Sequence, residues 1–428
     1  LSKMRTAGEW IKTGLIALLS ASALLLGWQT RLFNEFVGNF TFFGNVAELM
    51  RGASGIVDSG GASLKEAARP MIVVVTSGAG DRYGIKYDAE ARNAVYDRFS
   101  GIVGEAFGSA SAWSEISEEE WRAALSGPGV YFEYITPVRL SVLDEWLYAS
   151  MPEIAADALL RRVVAATGED GSRIYYQDDE SGLFYGADTE SAAGKAQELE
   201  IYSENGVLFA FESGITGAEN APYMLLVPNT EQHPNLRAVA AGSTEELLDA
   251  ALAALGYGNE KYTTFAEGEG ALRRVGTQFN IVADLYGRIL YRNTENLQPT
   301  EEQRKTNESL MIEQARAIIS DTIGGMCGSA EVFFDSIEYG EEQTASIYFT
   351  YYIAGGRVFL FEDGYAARVS IVSGIITEVE LNFRNYSLNG EYTRLLPERQ
   401  AFAAAGGEFV LCYSDSGSER LTPSWIRY

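Results

Sequence analysis

The stretch QTASIYFTYY, residues 343–352, sets Ala345, Ile347, Phe349 and Tyr351 against Thr344, Ser346, Tyr348 and Thr350. A period of two places these sets on opposite faces of a strand, and such alternation marks an antiparallel sheet with one wet face. TEVELNFR, residues 377–384, repeats the pattern with Val379, Leu381 and Phe383 against Glu380, Asn382 and Arg384, and Ser373-Gly374 makes a tight turn before it. Upstream, Leu310, Met311, Ile312, Ala315, Ile318 and Ile319 have helical spacing, and Gly324-Gly325 stops that helix. Residues 298–428 are therefore expected to form a C-terminal module, a helix packed on an antiparallel meander.

Toward the N-terminus, residues 153–297 read as a second, mostly β module. Arg161–Ala166, Ser172–Gln177 and Gly182–Gly186 are short strands joined by Gly- and Asp-rich turns. Ser243 with Glu246 forms a capping box for a helix through Leu248 and Leu252 that ends at Gly256. Phe279–Val282 and Ile289–Arg292 read as a hairpin around Tyr286-Gly287.

Residues 69–152 read as a first α+β module. Met71–Val75 and Tyr83–Tyr87 are strands, and a helix from Asp88 carries Val95, Phe99, Ile102 and Val103 on one face. Ser117 caps the next helix, Glu120 completes its capping box, and Gly127 ends it. Val130–Ile135 is a buried strand, and Pro137 leads into a helix with Leu140, Leu143, Trp146 and Leu147.

Before these modules, Thr13–Thr30 holds eighteen uncharged residues between Lys12 and Arg31. At 1.5 Å per residue they reach about 27 Å, just enough for a hydrocarbon core of about 30 Å. Lys12 and Arg31 can snorkel outward, and Trp10 and Trp28 sit where interfacial aromatics belong. Lys3, Arg5 and Lys12 precede the span and only Arg31 closely follows it. Residues 1–12 are thus expected to be a cytoplasmic tail, residues 13–30 a single transmembrane helix in the cell membrane, and the remainder extracellular. A cleaved signal peptide is the competing reading, but after Ala21-Ser22-Ala23 the mature chain would start on apolar Leu24-Leu25-Leu26.

Small residues line two faces of this helix, Gly14, Ala17 and Ala21 on one and Ser20, Ala23 and Gly27 on the other, spacing that permits close approach of a second helix. Residues 31–68 form a juxtamembrane segment. In it Phe33, Phe36, Val37, Phe40 and Phe43 make one apolar stripe, suited to the outer headgroup layer or a partner helix, or equally to the protein's own domain. Gly52–Ser63, rich in Gly, Ala and Ser, reads as a tether. The fold class expected for the whole is α+β: one N-terminal transmembrane helix, then a multi-domain extracytoplasmic region of antiparallel sheets with packed helices. Met4 reads as a start, and the chain stops straight after strand-like Trp425-Ile426-Arg427, so it is expected not to be a clean full-length product.

Composition narrows the function. The 46% hydrophobic content supplies packed cores. With 59 acidic against 33 basic side chains, a net charge of −26 repels phosphate backbones, so no nucleic-acid partner is expected. Two cysteines, Cys327 and Cys412, and one histidine, His233, exclude a Cys/His zinc site drawn from this chain. The two cysteines are read either as a pair or as two buried thiols.

The glycines Gly78, Gly80 and Gly84 follow a strand, but the third comes one residue late for a dinucleotide fingerprint and strand-like residues follow. A hairpin loop is the better reading. The sequence has no G-x-S-x-G elbow, phosphate-binding P-loop or S-x-x-K. His233, in polar Glu231-Gln232-His233-Pro234, is expected in an exposed loop, and Asp178-Asp179 in a turn. The expectation is therefore no enzyme, no cofactor, no metal and no small-molecule substrate.

The order of a short cytoplasmic tail, one span and a multi-module α+β ectodomain resembles the YycH/YycI-type regulators of an essential Gram-positive two-component system. Glu115-Ile116-Ser117 through Tyr131–Pro137, Leu272-Arg273-Arg274 through Arg288–Tyr291, and Gly356-Arg357-Val358 to Gly374-Ile375-Ile376 with Pro423-Ser424-Trp425 carry the local likeness. The last of these is similar to a YycI-like or PepSY-like closing module. The resemblance implies regulation by contact: the membrane helix pairs with spans of a sensor histidine kinase, alongside a second single-span regulator, and the ectodomain sets that pairing. Two alternatives stand beside it, an extracytoplasmic sensor of cell-wall fragments and a PepSY-like inhibitor or chaperone of a secreted protease.

Overall fold

The described chain begins on a short helix, Leu64–Ala67, and the buried strand Ile72–Thr76. The computed structural model describes residues 64–427 apart from 152–156, 169–170, 191–195, 229, 296–298, 301–302, 304–305, 341–343 and 361–363. These residues belong to the second of two compact units, residues 53–428. The expected span 13–30 and the segment 31–63 lie outside the described residues. Among the described residues no helix is long and apolar enough to cross a membrane.

The first sheet has seven strands: β1 (Ile72–Thr76), β2 (Arg82–Ile85), β3 (Ser111–Ile116), β4 (Gly129–Arg139), β5 (Leu159–Gly168), β6 (Gly171–Asp178) and β7 (Phe184–Thr189). Their order is β2-β1-β4-β5-β6-β7-β3, every pair antiparallel. The sheet draws strands from both sides of residue 152. Gly78 and Gly80 lie in the β1–β2 hairpin, as the failed dinucleotide spacing predicts. The helix Ala89–Gly108 starts where Asp88 accepts the Ala91 amide at 3.0 Å and buries Val95, Phe99, Ile102 and Val103.

One local expectation is corrected here, one is sharpened, and one strand was not expected. Ser117 caps the helix Glu118–Ser126, but the Glu120 carboxylate goes to Arg173 of β6 instead of back to the cap, because an arginine outcompetes an exposed amide. Pro137 does lead into the expected helix, Leu140–Trp146, without itself opening it. It sits inside β4 at a register shift between Glu133 and Val138, where its missing N–H is not needed, and the helix begins at Leu140. β3 escapes pattern reading because it is an exposed, bulged edge without apolar alternation.

The chain then adds β8 (Leu208–Phe209), β9 (Leu225–Leu226), β10 (Gln232–Ala240), β11 (Thr263–Ala266), β12 (Leu272–Val275), β13 (Phe279–Ala283) and β14 (Arg288–Asn293). Its last part holds β15 (Glu331–Tyr339), β16 (Thr344–Ile353), β17 (Gly356–Leu360), β18 (Ala367–Val372), β19 (Ile375–Asn382), β20 (Arg384–Arg394), β21 (Phe409–Asp415), β22 (Arg420–Leu421) and β23 (Pro423–Arg427). An eleven-stranded sheet runs β11-β12-β13-β14-β19-β18-β16-β17-β21-β23, with β15 on the other edge of β16. It draws strands from both sides of residue 297. β16 shares one edge between two neighbours, residues 344–349 pairing with β18 and 351–353 with β17. Among the described strands, only β17 and β21 pair in parallel. β10 lies between β20 and β22 in a separate three-stranded sheet.

Several turns follow from side-chain chemistry. Ser373 and Gly374 both take positive φ, 49° and 78°, the conformation that a two-residue hairpin between β18 and β19 requires. Ser243 and Glu246 satisfy each other's amides at the start of the helix Thr244–Ala254, the expected capping box. The core joins the sheets: Trp121, Tyr131, Val164, Phe209 and Leu225 pack with Phe333 and Tyr352. A second cluster places Met224 and Leu226 against Phe402, from the helix Glu398–Ala405, and Phe409. The described unit is α+β with antiparallel sheets and packed helices.

Candidate functional site

The residues expected to touch membrane or partner helix lie outside the described residues: Gly14, Ala17, Ser20, Ala21, Ala23 and Gly27, with Trp10, Lys12, Trp28, Arg31, Phe33, Phe36, Phe40 and Phe43. The described unit offers two other features, a cleft and a buried ionic seam.

The cleft measures about 380 Å³ and lies beside the short helix Leu64–Ala67, where the described chain begins. Its apolar wall is Trp146, Ile319, Phe333, Phe334 and Phe349, and Glu66, Arg69, Arg316 and Glu331 line it with charge. The helix Glu308–Ile319 continues into a π-helical turn, Ser320–Gly324, that borders the cleft. Wider turns of this kind recur at functional sites. Buried Glu313 anchors this wall, accepting from the Trp146 indole at 2.6 Å and pairing with Arg316 at 2.7 Å. Cys327 also lines it, its thiol donating to Ala330 O at 2.9 Å and pushed up to about 11 by burial. Such a thiol stays protonated at neutral pH and is a weak donor, not a nucleophile. Cys327 and Cys412 are both free and buried, which settles the alternatives left open by spacing. Size and lining suit an apolar side chain or small apolar group, with ionic contacts at the mouth. Only the Gly324-Gly325 stop signalled this place in the sequence, since its walls come from four distant segments.

The seam holds the first sheet to the closing strands. Glu398 is fully buried and accepts from Lys86 at 2.7 Å, from the Tyr87 hydroxyl and from the Val227 amide. Nearby, buried Glu133 accepts from Tyr131 at 2.7 Å and pairs with Arg161 at 2.9 Å and Arg162 at 3.2 Å, while Arg161 reaches Glu408 at 2.6 Å. Burial raises the Glu133 carboxyl, but Arg162 and Arg161 outweigh it and hold it below its ordinary value. Between the two clusters is a cavity of about 60 Å³ bordered by Lys86, Glu133, Arg161 and Glu408.

His233 corrects its expected place in an exposed loop. It is buried in β10, its ring edge-on to Tyr87 and to Trp425 with centroids 5.1 Å away in each case. Its Nε2 meets Thr230 O at 3.1 Å. The register shift between Pro234 and Leu236 absorbs the proline, so a polar, proline-bearing segment can still be a paired strand. Asp178 and Asp179 do lie at a turn, bonded to Ser181 and to the Leu159 and Arg161 amides.

Strand order, the shared edge of β16 and the parallel β17–β21 closure together define the architecture. The chain has a YycH-like fold. The crystal structure of YycH from Bacillus subtilis matches it with a TM-score of 0.53 and 13% identity, over 86% of this chain and 96% of that one. No family model matches the sequence, and no curated protein matches it. Within this YycH-like fold, among the described residues, no three His, Cys, Asp or Glu side chains gather as a metal site.

His233 carries a pH prediction. Burial lowers its pKa below the ordinary 6.5, so the unfolded chain binds a proton more readily than the folded one. Its contribution is complete above about pH 6.5 and is lost as pH falls through the folded value. The urea midpoint is expected to fall between about pH 6.5 and 5 in the native protein, and His233→Gln to flatten that slope. An unchanged slope in the variant would assign the effect to other groups.

Proposed function

We propose that this chain is a membrane-anchored, non-enzymatic regulator of a sensor histidine kinase, acting through its span and its extracytoplasmic unit. The observation that carries the reading is the YycH-like fold, spanning nearly the whole of the YycH chain. The sequence adds an expected span at residues 13–30, a juxtamembrane segment at 31–68 and a closing part, 298–428, that resembles a YycI/PepSY-like module. In this reading Gly14, Ala17 and Ala21, or Ser20, Ala23 and Gly27, face a helix of the kinase or of a second single-span regulator.

The test is crosslinking of tagged full-length protein in its native membrane, with mass spectrometry of what co-purifies. A sensor kinase is expected among the main partners. Ala17→Leu with Ala21→Leu, or Ala23→Leu with Gly27→Leu, is expected to lower its recovery about tenfold, because a leucine at a small-residue contact holds the two helix backbones apart. Equal recovery with both double variants rules against helix contact. A second reading, a sensor of cell-wall fragments, rests on the Tyr- and Phe-rich strands. No thermal shift of the full chain across a muropeptide panel would remove it.

A further inference from the structure

We infer that β11 is a docking edge for a second copy of this chain, the two meeting antiparallel about a two-fold axis at Thr264.

Sheet edges invite pairing unless they are blunted. The edge of β2 is covered, because Asn205 accepts from the Gly84 amide at 3.1 Å and donates to Gly84 O at 2.8 Å. β3 is broken by a register shift with Ala112 at φ 51°. β23 opens on Pro423. β11 has none of these protections. Thr263–Ala266 is uncharged, holds an unbroken register against Val275–Leu272, and exposes all four residues. Phe265 is 49% exposed with Val275 at 37% on the same face, and Tyr262, on the other face, is 38% exposed.

The ladder tells which backbone groups are free. The Glu267 amide donates to Ala271 O at 2.8 Å, toward β12. Antiparallel pairing alternates, so Thr263 and Phe265 also turn their backbone groups toward β12. Thr264 and Ala266, and by the same alternation Tyr262, turn theirs outward. A two-fold axis at Thr264 sets Thr264 against the partner's Thr264, and Tyr262 and Ala266 against the partner's Ala266 and Tyr262. Every one of these is a pair with outward-facing groups, able to exchange both backbone hydrogen bonds.

The same register places Lys261 opposite the partner's Glu267 at both ends. Among the described residues Lys261 has no ion pair, and Glu267 holds Arg273 at 2.8 Å through one oxygen, leaving the other. Phe265 then lies diagonal to the partner's Phe265, within reach of an aromatic contact. Backbone direction, charge and apolar exposure thus select one register and one occupant, a copy of the same strand.

The test uses the full chain in detergent micelles. Light scattering is expected to show a dimer. Lys261→Glu opposes like charges and is expected to raise the dissociation constant at least about tenfold, and adding Glu267→Lys to restore it. Thr264→Cys is expected to form a disulfide-linked dimer on mild oxidation, because directly opposed Cα atoms lie roughly 5.5 Å apart. Tyr392→Cys, at an exposed position of β20, is the control expected to stay monomeric on the same gel. A monomer at all concentrations overturns the proposal. So does a dimer that ignores Lys261→Glu and forms no link through residue 264, which would place the contact elsewhere, the membrane span included.

Discussion

Replacing Glu398 with alanine is expected to lower the stability of the described unit by about 3–5 kcal/mol, the usual cost of breaking one half of a buried ion pair. The side chain of Glu398 is 0% exposed and that of Lys86 only 11%. Removal strands the Lys86 ammonium, the Tyr87 hydroxyl and the Val227 amide together, three donors that water reaches poorly. Burial, then the Glu398 charge, raises the Tyr87 hydroxyl, so it remains a donor at every working pH. Adding Lys86→Met to Glu398→Ala is expected to recover part of the loss, since no buried charge is then unpaired. Urea unfolding measures both. A loss under about 1 kcal/mol for the single variant would mean that water reaches the pair and that the seam does not hold the sheets together.

The second large effect is expected at Gly355, in the turn between β16 and β17. Ala354 and Gly355 both have positive φ, 50° and 72°. A Cβ on Gly355 would lie 2.7 Å from Tyr87 Cα and 2.8 Å from Lys86 O, both on the backbone just past β2 of the first sheet. Gly355→Ala therefore combines left-handed strain with displacement of the Lys86–Tyr87 segment, together about 3 kcal/mol. That segment is the one Glu398 holds, so the two substitutions should couple, and the double variant should lose less than the sum. Strict additivity in urea would separate the turn from the seam.

The sequence made legible whatever is decided within a few residues. Ser243 and Glu246, the hairpin around Tyr286-Gly287 and the Ser373-Gly374 turn are local chemistry, and each stands where its residue types demand. Sheet membership was hidden, because β4 takes both β1 and β5 as neighbours for reasons of long-range packing that leave no period in either strand. His233-Pro234 shows the same limit. Its polar surroundings read as exposed until Tyr87 and Trp425, from the two ends of the unit, close over the ring. The cleft was illegible for the same reason, its walls being assembled from segments near residues 66, 146, 319 and 333. The residues with the clearest local signal for membrane or partner contact, between Trp10 and Phe43, lie outside the described residues.

β10 ends at Ala240, yet its neighbours β20 and β22 begin at Arg384 and Arg420. A chain growing from its N-terminus therefore makes this strand long before anything exists to pair with it, whereas β13 and β14 can close at once. Until β20 arrives β10 presents two open edges, and until the last residues arrive one edge stays open and His233 lacks Trp425. Assembly of the unit is thus late and cooperative: shortening the chain by its final strands would unseat a segment in its middle, and that segment would be the first place for a protease to cut.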